Sequence, residues 1–186
     1  MNRKLITIGM LTFLFTFSVI TGVSAESVQP DSVLTASTNI KLFVEKNGQL
    51  PNFVVMGNKK YSMEQYLYAS SNYIFSAQIG ALNKAYLYDD EKQKVKKSSK
   101  PTPRTIKANI DMQTYSNMAL RTANFISRNE KAPSVISSKY GDLQFQTAVY
   151  GFAKVLDYYK KNKVMPKYVS LNVAKTSKLA KNMPNF

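Results

Sequence analysis

The sequence predicts a mainly α fold: a small repeat module of about four amphipathic helices, with short extended segments after Asn-x-x-x-Pro turns. Three observations predict it. Apolar residues recur at helical spacing in four separate stretches. Three of those stretches end in one phrase of aromatic, base, Asn and Pro. Each phrase then runs into a few residues rich in Val, Ile or aromatics, the composition of a short strand.

The copies of the phrase are Phe43–Val54, Phe125–Ile136 and Tyr158–Val169. An aromatic stands eight residues before Pro51, Pro133 or Pro166. A base stands five before (Lys46, Arg128, Lys161) and Asn four before (Asn47, Asn129, Asn162). An apolar residue comes just before the Pro, and Val54, Ile136 or Val169 three after it. Chance would put both the aromatic and the Asn at these offsets for about one Pro in a hundred, whereas three of the seven prolines meet the condition. The prolines are 82 and then 33 residues apart, so the second and third copies share a helix. A step of about 33 residues also invites comparison with ankyrin and tetratricopeptide repeats. The His-free sequence cannot supply the ankyrin turn, and Pro stands in a different context in the second.

The first helix runs from a cap at Asp31 or Ser32, whose side-chain oxygens can accept from free N–H groups. Val33, Ala36, Ile40, Phe43 and Val44 share its apolar face. Asn47-Gly48 ends it through the left-handed conformation both residues tolerate, and Pro51 prevents resumption. Phe53 to Met56 reads as extended and Gly57-Asn58 as a turn. Ser62 and Gln65 form a capping box for a second helix reaching about Gln78. Asp89 to Thr105 reads as an exposed, lysine-rich loop. Asp111 caps a third helix that ends near Asn129. Asp142 is expected to cap a fourth, the most clearly amphipathic, ending at Asn162. The expected divisions are therefore a leader over 1–25, a first repeat-like unit over 32–88 and a basic linker over 89–110. Two overlapping units over 111–171 and a basic tail over 172–186 complete the chain.

Charge and composition restrict the function. The 186 residues carry 26 Lys and Arg against 11 Asp and Glu, a net charge of +15. Such a chain seeks anionic partners. The first 25 residues read as a secretory signal, with Asn2-Arg3-Lys4, an apolar stretch and a small-residue site that places cleavage between Ala25 and Glu26. An uncleaved anchor is the competing reading of the same stretch; after cleavage no stable membrane span is expected. Export favours an acidic surface polymer over nucleic acid as partner. There is no Cys and no His, which removes disulfides, Cys–His and Ser–His–Asp nucleophilic sites and the usual zinc sites. No cofactor, metal or catalytic residue is expected.

The phrase, with a later helix rich in Tyr, Phe and Leu, resembles the pseudomurein-binding repeats of methanogenic archaea and their viruses. Residues 36–75 and 112–171 carry the resemblance, through Leu50-Pro51-Asn52-Phe53-Val54 and Met165-Pro166-Lys167-Tyr168-Val169 above all. The middle copy departs from it, with Ser134-Val135-Ile136 after its Pro. The resemblance implies an exported, non-catalytic protein retained at the cell wall on pseudomurein or a similar anionic polymer. The peptidase-like domain often joined to such repeats is excluded, because Cys and His are lacking.

Two readings of the repeated residues stay open. In the structural one, each Asn caps a helix, each Pro fixes its exit angle, and Phe43, Phe125 and Tyr158 join Val54, Ile136 and Val169 in the core. In the other, the loop is a ligand shelf. The candidate contacts are then Asn47, Pro51, Phe53, Val54, Asn129, Pro133, Lys161, Asn162, Pro166, Lys167, Tyr168 and Val169. Asn amides can both donate and accept hydrogen bonds, aromatics offer flat surface, and bases pair with carboxylates. The alternative function is a surface scaffold or adhesin whose repeats contact protein. A general binder of polyanions or membrane surfaces and an unrecognised hydrolase are further alternatives.

Overall fold

The computed structural model describes residues 28–82 and 108–171. The signal and its Ala25-Glu26 cleavage site, residues 83–107 including the lysine-rich loop, and the tail from 172 lie outside the described residues. The fold is mainly α. In chain order the elements are α1 (Pro30–Asn47), β1 (Val54–Met56), β2 (Lys59–Tyr61), α2 (Met63–Gln78), β3 (Ala108–Asp111), α3 (Met112–Asn129), β4 (Val135–Ser138), β5 (Gly141–Gln144), α4 (Phe145–Asn162) and β6 (Tyr168–Leu171).

Helix starts follow local chemistry, with two corrections to the sequence reading. The capping box at Ser62 forms as expected: the Ser62 Oγ accepts from the Gln65 N–H at 3.2 Å, and the Gln65 Oε1 accepts from the Ser62 N–H at 2.8 Å. Asp111 also caps as expected, its Oδ1 accepting from the Thr114 N–H at 2.9 Å. Neither Asp31 nor Ser32 caps α1. Pro30, which has no N–H to satisfy and a φ already suited to a helix, opens it earlier, with Gln29 as the boundary residue. Asp142 does not cap α4. It lies in β5 opposite Ser137, and the first turn of α4 is served from outside the helix, the Phe145 N–H donating to the Ser134 carbonyl at 3.0 Å.

Every strand pairs in an antiparallel ladder of two. β1 with β2 and β4 with β5 are hairpins. β3 and β6 are far apart in sequence and pair Ala108 with Leu171 through to Asp111 with Tyr168. The expected linker over 89–110 therefore ends too late, since Ala108–Ile110 is already strand. A lone four-residue stretch carries no sign of so distant a partner.

The core lies among the four helices. α1 packs on α4, α2 on α3, and α2 also meets α4. Tyr66, Tyr115, Tyr150, Phe145 and Phe152 are its largest buried side chains. α4 departs from the expectation of one apolar face: Gln146, Thr147, Tyr150, Ala153 and Asp157 are buried along with its apolar residues, because neighbours cover it on several sides. Each ladder carries one of Val54, Ile136 and Val169, all buried as expected.

Candidate ligand grooves at the helix exits

The three copies of the phrase build one local structure. In each, the Asn is the last helical residue and its Nδ2 donates to the carbonyl one turn back: Asn47 to Phe43 at 2.8 Å, Asn129 to Phe125 at 2.7 Å, Asn162 to Tyr158 at 2.8 Å. The left-handed residue is the next one. It is Gly48 at φ 70°, Glu130 at 49° and Lys163 at 58°. Its N–H bonds in each case to a carbonyl four residues back at 2.8 Å. The Asn amides thus give a donor to their own helices, which corrects their placement at the left-handed position.

The Pro turns the chain back along its helix. Element bounds then coincide at the sequence offsets of the phrase. A shift of 82 carries α1 onto α3 and the Val54–Tyr61 pair onto Ile136–Leu143; a shift of 33 carries α3 onto α4, β3 onto β5 and β4 onto β6.

Between helix and returning strand lies a groove. At the Pro166 copy it has a volume of about 620 Å³ and is lined by Lys154 and Tyr158 from α4, Val164 to Lys167 from the turn, and Tyr168 to Ser170 from β6. At the Pro133 copy it holds about 340 Å³ between Arg121, Thr122 and Phe125 of α3 and Pro133 to Ser137. The bases that span the two grooves are equivalent. Lys154 donates to the Ser170 carbonyl at 2.5 Å, and Arg121 to the Ser137 carbonyl. Neither base was among the sequence candidates. Each stands four residues before the phrase's aromatic, so extending the comparison of copies one helical turn upstream would have found both.

The aromatics that open the phrase correct the structural reading. Phe43, Phe125 and Tyr158 are 37%, 41% and 44% exposed rather than core. One turn of helix separates each from its Asn, and that turn faces solvent. Phe53 and Tyr168 are exposed as well, at 47% and 57%. The Lys60 ammonium lies 4.6 Å from the centre of the Phe53 ring. Pro133, Pro166 and Val169 are buried residues forming the floors of their grooves, and Val54 is buried in the first copy. Lys167 is exposed. Lys161 points elsewhere: its ammonium lies 2.8 Å from a carboxylate oxygen of buried Asp157.

The Pro166 groove is braced from α3. The Tyr115 O–H donates to the Pro166 carbonyl at 2.7 Å in a buried contact, and burial pushes the Tyr115 hydroxyl pKa above its ordinary value. The other hairpin tip is tied to the start of α3. The Lys139 ammonium contacts the Asp111 carboxylate at 2.7 Å, and Tyr140 donates to it at 2.7 Å. The Lys139 hydrogen bond, with those of Tyr140 and Thr114, holds the Asp111 carboxyl well below the usual carboxylate range.

Among the described residues no group of three or more acidic side chains gathers to hold a metal ion, and no helix is long and apolar enough to cross a membrane. What the grooves offer is flat aromatic surface, a fixed base and an apolar floor, a combination suited to holding a chain that carries carboxylates. No family model and no curated protein matches the sequence.

Proposed function

We propose that the chain is an exported, non-catalytic repeat module that holds an acidic cell-wall polymer of the pseudomurein type in the grooves beside its helix exits. One observation carries the reading. The same groove, with base, aromatic, Pro floor and returning strand at matching positions, occurs at both Pro133 and Pro166. A core requires neither exposed aromatics at matching positions nor a base set across each groove, whereas a repeating ligand uses both. The positive charge of the chain agrees in sign with a carboxylate-bearing polymer. Several weak sites on one molecule gain retention through effective concentration.

The test is sedimentation of the protein with purified walls of pseudomurein, murein and uncharged composition. Retention on pseudomurein is expected to exceed the others. Tyr168→Ala, at a side chain mostly in solvent, is expected to weaken it roughly tenfold, about 1.4 kcal/mol, with an unchanged melting curve. Equal retention on every wall, or none, would sink the reading. A second reading, a surface scaffold or adhesin, draws on Leu42, Val55 and Ile79, which are 54%, 47% and 58% exposed and lie outside the two grooves. Capture of a protein that survives Tyr168→Ala but fails with Leu42→Ser would favour it.

A further inference from the structure

The two grooves are related by the way α3 and α4 are tied. α3 begins against the exit of α4, the Met112 N–H donating to the Lys167 carbonyl at 3.0 Å. α4 begins against the exit of α3, through the matching bond from Phe145 to Ser134 at 3.0 Å. Each helix starts where the other ends, so the two run antiparallel. The ladders close in the same manner. The shift of 33 carries β3 onto β5 and β4 onto β6; β4 pairs with β5, and β6 pairs with β3 in the corresponding register. An operation that returns to its start after two steps is a half-turn.

Equivalent groups therefore follow one another in opposite directions. The order base, aromatic, Pro reads Arg121, Phe125, Pro133 in one groove and Lys154, Tyr158, Pro166 in the other. A polymer strand has direction, since its repeating unit has two different ends. A strand that suits one groove must be reversed to suit the second.

We propose that the protein bridges two acidic polymer strands running in opposite senses, one in each groove, rather than fastening along a single strand. This rests on the wall-binding reading above. The occupant is acidic by charge complementarity, given the bases in the grooves and a net charge of +15. Bridging differs from avidity along one strand in its dependence on stoichiometry.

The experiment mixes the full chain with soluble pseudomurein fragments made by sonication and follows light scattering over a range of ratios, with sedimentation on intact walls measured alongside. Scattering is expected to pass through a maximum and return to baseline in excess fragment, where each groove has its own strand. Phe125→Ala and Tyr168→Ala should each abolish the maximum while still sedimenting with walls through the other groove, though more weakly than the parent. Should either fail to fold by its melting curve, Arg121→Met and Lys154→Met test the same grooves. Protein that sediments with walls but shows no scattering maximum overturns bridging and leaves wall binding standing. A maximum that persists in folded single-groove variants also overturns it, because something other than the two grooves then joins the strands. Failure to sediment with walls overturns both.

Discussion

Removing the Asp157 carboxylate tests the seam between α1 and α4. Its side chain is 5% exposed. Its Oδ1 accepts from the Thr38 hydroxyl at 2.9 Å, and its Oδ2 from the Lys161 ammonium at 2.8 Å, with Lys41 at 3.7 Å. A hydrogen bond to a charged group contributes about 1.5–3 kcal/mol. The Lys161 head is 61% exposed, which puts its share nearer the ~0–1 kcal/mol of a surface pair. None of the partners is stranded by Asp157→Ala. Lys161 returns to water, Lys41 keeps Glu45 at 3.1 Å, and Thr38 keeps the Leu34 carbonyl at 3.3 Å. The loss is therefore about 2–3 kcal/mol, below the ~3–5 kcal/mol of a buried pair broken to leave a bare charge. At about 2–4 °C per kcal/mol for a chain approaching this size, the melting temperature at pH 7 falls roughly 5–10 °C.

The pH dependence has a definite sign. Burial opposes ionisation of Asp157, but the bonds from Lys161 and Thr38 and the nearby charges of Lys161 and Lys41 together outweigh it and hold the carboxyl below its ordinary value. A depressed folded-state pKa stabilises the fold above the unfolded pKa of about 4, and that contribution disappears as pH falls through the folded value. The melting difference between parent and Asp157→Ala should therefore be full at pH 7 and shrink in strong acid. Double-mutant cycles should give a larger coupling to Thr38 than to Lys161. A variant that melts within about 2 °C of the parent at pH 7, against the ~5–10 °C expected, or couplings in the reverse order, would refute the reasoning.

Tyr115→Phe leaves the Pro166 carbonyl without its buried donor and should cost about 1–3 kcal/mol, read by denaturant melting, with wall retention lowered through the Pro166 groove. Lys163→Gly and Glu130→Gly relieve the left-handed strain of a side chain at the helix exits and should each stabilise by roughly 0.5–1 kcal/mol; Gly48→Ala should destabilise by a comparable amount in the same assay. Ser62→Ala removes half of the capping box and should cost about 1 kcal/mol, seen as a lower melting temperature with wall binding intact.

Features encoded within a few residues were legible in the sequence. The capping box at Ser62, the cap at Asp111 and the three helix ends depend on groups less than two turns apart. The strands were harder. Lys59–Tyr61 and Gly141–Gln144 are too short to show alternation, and Ala108–Asp111 acquires its strand character from residues 168–171. The misread at Asp142 has the same root, since a short polar side chain suits a turn or strand end as well as a helix cap. At the candidate site the phrase marked loops that line the two grooves but not the bases that span them. Lys161 faces Asp157, while Arg121 and Lys154, two helical turns upstream of each Asn, span the grooves. Which base crosses to the strand depends on the return path of the chain, and that path is set by tertiary packing.

Pairing β3 with β6 has a consequence for the order of assembly. The β4–β5 hairpin closes around a two-residue turn, whereas the β3–β6 ladder must close a loop of more than fifty residues between Asp111 and Tyr168. Each doubling of a loop costs about 0.6 kcal/mol in chain entropy, so the long ladder starts about 3 kcal/mol behind the hairpin. That disadvantage is removed once α2 has packed against both α3 and α4, since this packing brings the two strands together beforehand. The strand that completes the larger groove should therefore zip up late in folding, and the short hairpins should be the first amides of the sheet to resist exchange with solvent.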